Sequence, residues 1–129
     1  MNSIYPTLVS NKFVETINFY EDFFGFVPVN EQDGYALLQH SDNHSIKIAI
    51  FDVDHACVHD RIKPVQGLII ALSVPNVEEA YQSLYMEGLD VYKDLSQDVH
   101  DRRHFVVYDP NGVLINVVEP FSQEMAMAA

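Results

Sequence analysis

The chain has 129 residues, 48% of them hydrophobic, with a formal net charge of −12 at pH 7 and one cysteine. That length suits one domain, or two small packed halves, with a buried core. So acidic a chain lacks the positive footprint of a nucleic-acid binder and would be repelled by anionic membranes, its apolar runs are too short to span a bilayer, and one cysteine cannot form an internal disulfide.

Residues 4–10, IYPTLVS, form the first predicted strand, with Pro6 pushing it toward a sheet edge or a strand start. Asn11 can cap a helix running to about Phe24, on which Phe13, Ile17, Tyr20 and Phe24 share one face. Gly25 ends that helix. A strand begins over Phe26 to Val29, and Gly34 opens another over Tyr35 to His40. The polar cluster 41–44 turns the chain into Ser45 to Phe51, where Ile46, Ile48 and Ile50 alternate with Lys47, Ala49 and Phe51.

Residues 52–66 break the pattern and read as a connection. A strand over Leu68 to Val74 follows. Pro75 and Asn76 then open a helix of about Val77 to Glu87, with Val77, Ala80, Tyr81, Leu84 and Tyr85 on its apolar face. Gly88 closes it, Leu89 to Tyr92 make a short strand, and 93–101 a polar loop. The last stretch, HFVVYDPNGVLINVVEP over 104–120, is a hairpin. Its strands are β-branched and aromatic, and Asp109-Pro110-Asn111-Gly112 suits a type I turn followed by a bulge. The terminal MAMAA is expected to fray. The N-terminal MNSIYPTLVS lacks a basic start and an apolar core, so no export signal is expected.

The two halves repeat each other. Val14-Glu15 and Val77-Glu78 each precede a glycine, Gly25 or Gly88, by eleven residues counted from the valine. The expected fold is α+β: two βαβββ modules, about 1–62 and 67–121, within a single 1–129 domain. They form a curved mixed-sheet cup with helices on the convex face. The concave face is the default place for a ligand.

VETINFYEDFFGF (14–26), GLIIALSVPNVEEAYQSL (67–84) and the 104–120 hairpin together resemble the vicinal oxygen chelate superfamily. That superfamily includes glyoxalase I, bleomycin- and fosfomycin-resistance proteins and extradiol dioxygenases. The resemblance covers essentially the whole chain. It implies metal-ligand positions on concave-face strands, one pair per module, usually His and Glu. Carried over one at a time, they fall on Tyr5, Lys47, Ile69 and Asn116. None is a carboxylate or an imidazole, an ammonium there would repel a cation, and 45–51 holds no Asp, Glu or His to slip into place. The resemblance therefore implies the cup without the metal, and no cofactor. It removes the reason to expect glyoxalase or dioxygenase chemistry, which rests on a metal.

What remains resembles the bleomycin-resistance branch, which implies a homodimer that sequesters a small organic ligand. The acidity suits a cationic one. The chain has no tryptophan for the stacking that bleomycin binders are expected to offer, so bleomycin itself is not the expected ligand. The ligand-binding candidates are Tyr5, Lys47, His104, Val106 and Asn116. In the resembling resistance enzymes the position three before the turn aspartate faces the ligand, and here that is Val106. Tyr5 and His104 could act as acid or base, but the sequence reveals no third group to orient them.

Six histidines form pairs four residues apart: His40/His44, His55/His59 and His100/His104. Only His55/His59, with Cys57, Asp54 and Asp60, could share a short helix and hold an adventitious zinc; solvent-exposed histidines are the ordinary reading. Arg102 and Arg103 could greet an anion, and surface solvation is the ordinary reading of both. The sequence thus describes a cytoplasmic, metal-free, small-molecule-binding homodimer, with no nucleic-acid or membrane partner. The alternative is a metal-dependent lyase, isomerase or dioxygenase of the same fold with atypical ligands.

Overall fold

Runs of β-branched and aromatic residues, broken twice by an amphipathic stretch, set the order of elements. A computed structural model of the chain describes residues 3–55, 58, 67–97 and 102–120. Among them, eight strands and two helices form an α+β fold with two four-stranded mixed sheets. The chain divides into two compact units, Met1–Gln66 and Gly67–Ala129.

The first unit runs β1 (Thr7–Ser10), α1 (Phe13–Phe24), β2 (Phe26–Gln32), β3 (Tyr35–His40) and β4 (Lys47–Asp52), in the spatial order β1-β4-β3-β2. β1 lies parallel to β4 and the other pairings are antiparallel. Leu8, Ala36, Leu38, Ile48 and Ile50 are buried under α1, which buries Thr16, Ile17, Phe19 and Tyr20. Phe19 was not among the expected face residues, because the 4-3-4 spacing traced a narrower stripe than the helix buries.

Three boundaries differ from expectation. β1 starts at Thr7, since Pro6 has no N–H to pair; its carbonyl still accepts from Ala49 N at 3.0 Å. Asn11 does not cap α1. Lys12 holds that position without a side-chain bond, Ser10 Oγ accepts from Lys12 N at 2.8 Å, and Thr16 Oγ1 donates to Lys12 O at 2.6 Å, so the end of the strand secures the first turn. β2 continues to Gln32 through a register shift between Pro28 and Asn30, an irregularity that an edge strand tolerates. Gly25 takes φ 72° after α1 and donates to Tyr20 O, as a left-handed C-terminal residue should.

The second unit repeats the order: β5 (Ile69–Ser73), α2 (Val77–Met86), β6 (Val91–Gln97), β7 (Arg103–Tyr108) and β8 (Leu114–Val118), arranged β5-β8-β7-β6. β5 and β8 are parallel and the rest antiparallel. Asn76 caps α2 by accepting from Glu79 N at 3.1 Å. Tyr81 meets Phe105 edge-on at 5.2 Å, while Tyr85 stacks on Tyr81 from outside and stays exposed. Tyr85 was expected on the buried face, but only Val77 and Leu84 of α2 are fully inside.

Residues 93–97, expected in a loop, are strand. β6 is an edge strand with register shifts between Val91 and Lys93 and between Lys93 and Ser96. Its polar residues need satisfy only one ladder, so its sequence lacks alternation. The hairpin turn is tied by its first residue: Asp109 Oδ1 accepts from Asn111 N at 2.7 Å and Val113 N at 2.9 Å. Gly112 adopts φ 80° there, as a turn closed by a left-handed residue requires. No helix among the described residues is long and apolar enough to cross a membrane.

Candidate functional site

In β7 and β8, alternation turns Phe105, Val107, Ile115 and Val117 toward α2, and His104, Val106, Asn116 and Val118 to the opposite, helix-free face. Val106 pairs with Asn116, and His104 pairs with Val118 on one side and Ser96 on the other. Across that face His104 Nδ1 meets Asn116 Oδ1 at 2.8 Å. An amide oxygen can only accept, so Nδ1 takes the donor role in this pair, and in the neutral ring Nε2 is then an acceptor. His104 is 8% exposed. Among the described residues, its Nε2 and the Ser96 Oγ are buried atoms without a hydrogen-bond partner.

Each such unmet group costs about 1–3 kcal/mol, and folded proteins tolerate few of them. Two stand at paired positions on one face. Farther along that face the character changes to apolar: Ile69 pairs with Leu114 and Leu114 with Tyr108, and Tyr92 packs edge-on to Tyr108 at 5.5 Å. Ile69 and Tyr92 are exposed. The face thus runs from an enclosed polar end to an open aromatic one.

The sequence singled out His104 and Asn116 separately and saw no group to orient the histidine. Asn116 is that group, and the hairpin register could have shown it: a turn centred on 109–112 brings 106 opposite 116, leaving 104 on its diagonal. Ser96 was missed because it fell in an expected loop, and nothing in its own stretch marks it.

The helix-free face of the first sheet is different. Lys47 pairs with Gln39, Ala49 with Leu37 and Thr7, and Phe51 with Tyr35 and Val9. The Tyr35 ring lies 4.7 Å from Phe51, whose other neighbour is His55 at 4.9 Å. Burial first, then the neighbouring Tyr5, push the Tyr35 phenol above its ordinary range. Of the five candidates, His104, Val106 and Asn116 therefore come together in one unit, while Tyr5 and Lys47 stand in the other. Arg103 is not offered to a ligand, because Nη2 bonds Glu78 Oε1 at 2.6 Å on the α2 side.

Register revises one of the positions taken for metal ligands. Tyr5 and Ile69 each stand eight residues before their helix, and Thr7 and Ala71 six. Thr7 pairs with Ala49 and Ala71 with Asn116, so the match to Asn116 is Ala49 and not Lys47. Counting along the sequence alone could not fix this, since only cross-strand pairing sets the level. The set becomes Tyr5, Ala49, Ile69 and Asn116, with two hydrocarbon side chains and no carboxylate or imidazole. These residues do not fit a divalent metal. Among the described residues no group of three or more His, Cys, Asp or Glu gathers. Cys57, His59, Asp60 and His100 lie outside the described residues.

The repeated module and its hairpin find their counterpart in known proteins. The family model described as Glyoxalase/Bleomycin resistance protein/Dioxygenase superfamily matches residues 5–117, and the chain belongs to that superfamily. Among solved structures it is similar to a superfamily member from Sphaerobacter thermophilus DSM 20745, at 20% identity and TM-score 0.75, covering 93% of this chain and 98% of that one. It is also similar to a bleomycin-binding protein complexed with bleomycin, at 20% identity and TM-score 0.68, covering 93% and 99%. A lactoylglutathione lyase from Agrobacterium tumefaciens matches at 17% identity and TM-score 0.70, covering 92% and 94%. These likenesses establish the fold. No curated protein matches the chain.

Proposed function

We propose that the chain binds a small organic molecule on the helix-free face of its second sheet, without a metal ion. The observation that carries this is the pair of buried polar atoms, His104 Nε2 and Ser96 Oγ, without hydrogen-bond partners among the described residues, on the same face as the exposed Tyr92–Tyr108 pair. Ligand sites combine such an apolar bed with a few fixed polar groups. Val106 supplies apolar contact between them, and Asn116 fixes the histidine. Tyr5 and Lys47 stand in the first unit and are candidates for ligand contact there, apart from this face. The bleomycin-binding neighbour supports a binding role for this fold, and a net charge of −12 favours a neutral or cationic ligand.

The absence of fitting ligands at Tyr5, Ala49, Ile69 and Asn116 supports metal independence over the lyase, isomerase or dioxygenase alternative. We further read the protein as a cytoplasmic homodimer. A single cysteine supports a reducing compartment, and Val27 and Val29, exposed on edge strand β2, support self-association. Metal analysis of protein purified without chelator tests the central reading: less than stoichiometric metal is expected, and tightly held zinc, nickel, manganese or iron would overturn it. Light scattering tests the dimer.

A further inference from the structure

We propose that this face selects ligands by a hydrogen-bond donor: it takes a hydroxyl or amino compound with an aromatic or apolar body and discriminates against the alkylated analogue without the donor. The inference rests on the binding role proposed above and deepens it. The side-chain chemistry sets the polarity. Asn116 Oδ1 faces Nδ1 at 2.8 Å and cannot donate, so Nδ1 takes the donor role and the neutral imidazole offers its second nitrogen as an acceptor. That nitrogen belongs to a side chain more than nine-tenths buried and has no partner among the described residues. Ser96, level with His104 on the neighbouring strand, adds a hydroxyl that can donate or accept and is equally unmatched.

An acceptor enclosed in this way rewards a donor and penalises its replacement. A ligand oxygen or nitrogen bearing hydrogen satisfies Nε2. An ether oxygen or quaternary nitrogen buries the lone pair against nothing. The aromatic bed of Tyr92 and Tyr108 on the same face accepts the apolar body. A primary or secondary ammonium gains additionally from the acidic chain.

The test uses the full chain and two probe pairs, phenol against anisole and benzylamine against benzyltrimethylammonium, titrated by NMR chemical-shift perturbation. Each donor should bind about tenfold more tightly than its partner. That preference should disappear in His104→Phe, which keeps the ring and removes the nitrogen. If His104→Phe does not fold, Ser96→Ala provides the second arm, with a smaller loss of preference. Long-range nitrogen–proton spectra of the free protein should show His104 protonated at Nδ1. Equal binding of donors and non-donors, or a proton on Nε2, overturns the inference and leaves the binding role standing. Failure of all four probes to bind at millimolar concentration overturns the binding role and the inference with it.

Discussion

The two units share one topology and fill it in opposite ways. Ala36 pairs with Ile50 and Phe105 with Val117; Ile50 and Val117 pair with Leu8 and Leu72, each five residues before its helix. Ala36 and Phe105 are therefore equivalent positions. In the first unit the strand supplies a methyl group and the helix supplies the bulk, Phe19 and Tyr20. In the second the strand supplies Phe105, and the buried helix residues are Val77 and Leu84. The bulk at this interface comes from the helix in one unit and from the strand in the other. The helix-free faces have diverged further. By the same pairing Tyr35 matches His104, yet Tyr35 has Tyr5 of its own unit as a neighbour, while His104 keeps a nitrogen unmet among the described residues. The two copies keep one frame and differ on this face, where the second carries the proposed site.

The largest test of this contrast lies in the cores. Phe105→Ala should destabilise by about 3–5 kcal/mol, and Tyr20→Ala by a similar amount. Ala36→Phe should not behave as a conservative copy of the second unit: it inserts a ring beneath a helix already carrying two, and overpacking costs about 1–3 kcal/mol. Urea unfolding of the three variants decides it, and a neutral Ala36→Phe would show that the two cores are not alternatives. The turns come next. Asp109 is buried and fixes its turn through two backbone donors, so Asp109→Ala should cost about 2–3 kcal/mol. Asn43 accepts from Ser45 N in the corresponding first-unit turn but is exposed, and Asn43→Ala should cost about 0.5–1 kcal/mol.

Most of the frame was legible because its signals are local. The 109–112 turn, the glycines after the helices and the alternation of Ile48 and Ile50 all lie within a few residues of what they determine. What escaped notice depends on partners distant in sequence. β6 is polar and becomes a strand only because β7 pairs with it, so Ser96 could not be seen. The role of Asn116 is a diagonal contact, and the equivalence of Ala49 to Asn116 is a matter of register across parallel strands. Of the proposed site, His104, Val106 and Asn116 were legible as identities, while the hydrogen bond joining His104 to Asn116 was not. Caps divide in the same way. Asn76→Ala should cost about 1 kcal/mol, because its side chain holds Glu79 N. Asn11→Ala should stay within about 0.5 kcal/mol, since α1 is secured by Ser10 and Thr16 instead. Thermal melts of the pair separate a residue type that suits capping from one that caps.

The smallest expected effect is an alkaline one, and it addresses the matched pair directly. Burial and the Tyr5 hydroxyl raise the Tyr35 pKa above the ordinary 10.0, so folding favours the neutral phenol. The unfolded chain releases this proton first as pH rises. The contribution is therefore complete below pH 10 and fades as pH climbs through the higher folded value. Tyr35→Phe removes the titrating group, and the difference in melting temperature between parent and variant should shrink between pH 9 and 11. Tyr5→Phe keeps the Tyr35 phenol but removes one cause of its shift, so the alkaline loss should begin at the same pH, be smaller and end sooner. If the Tyr35→Phe difference held constant through that window, Tyr35 would not be held by burial and Tyr5 together.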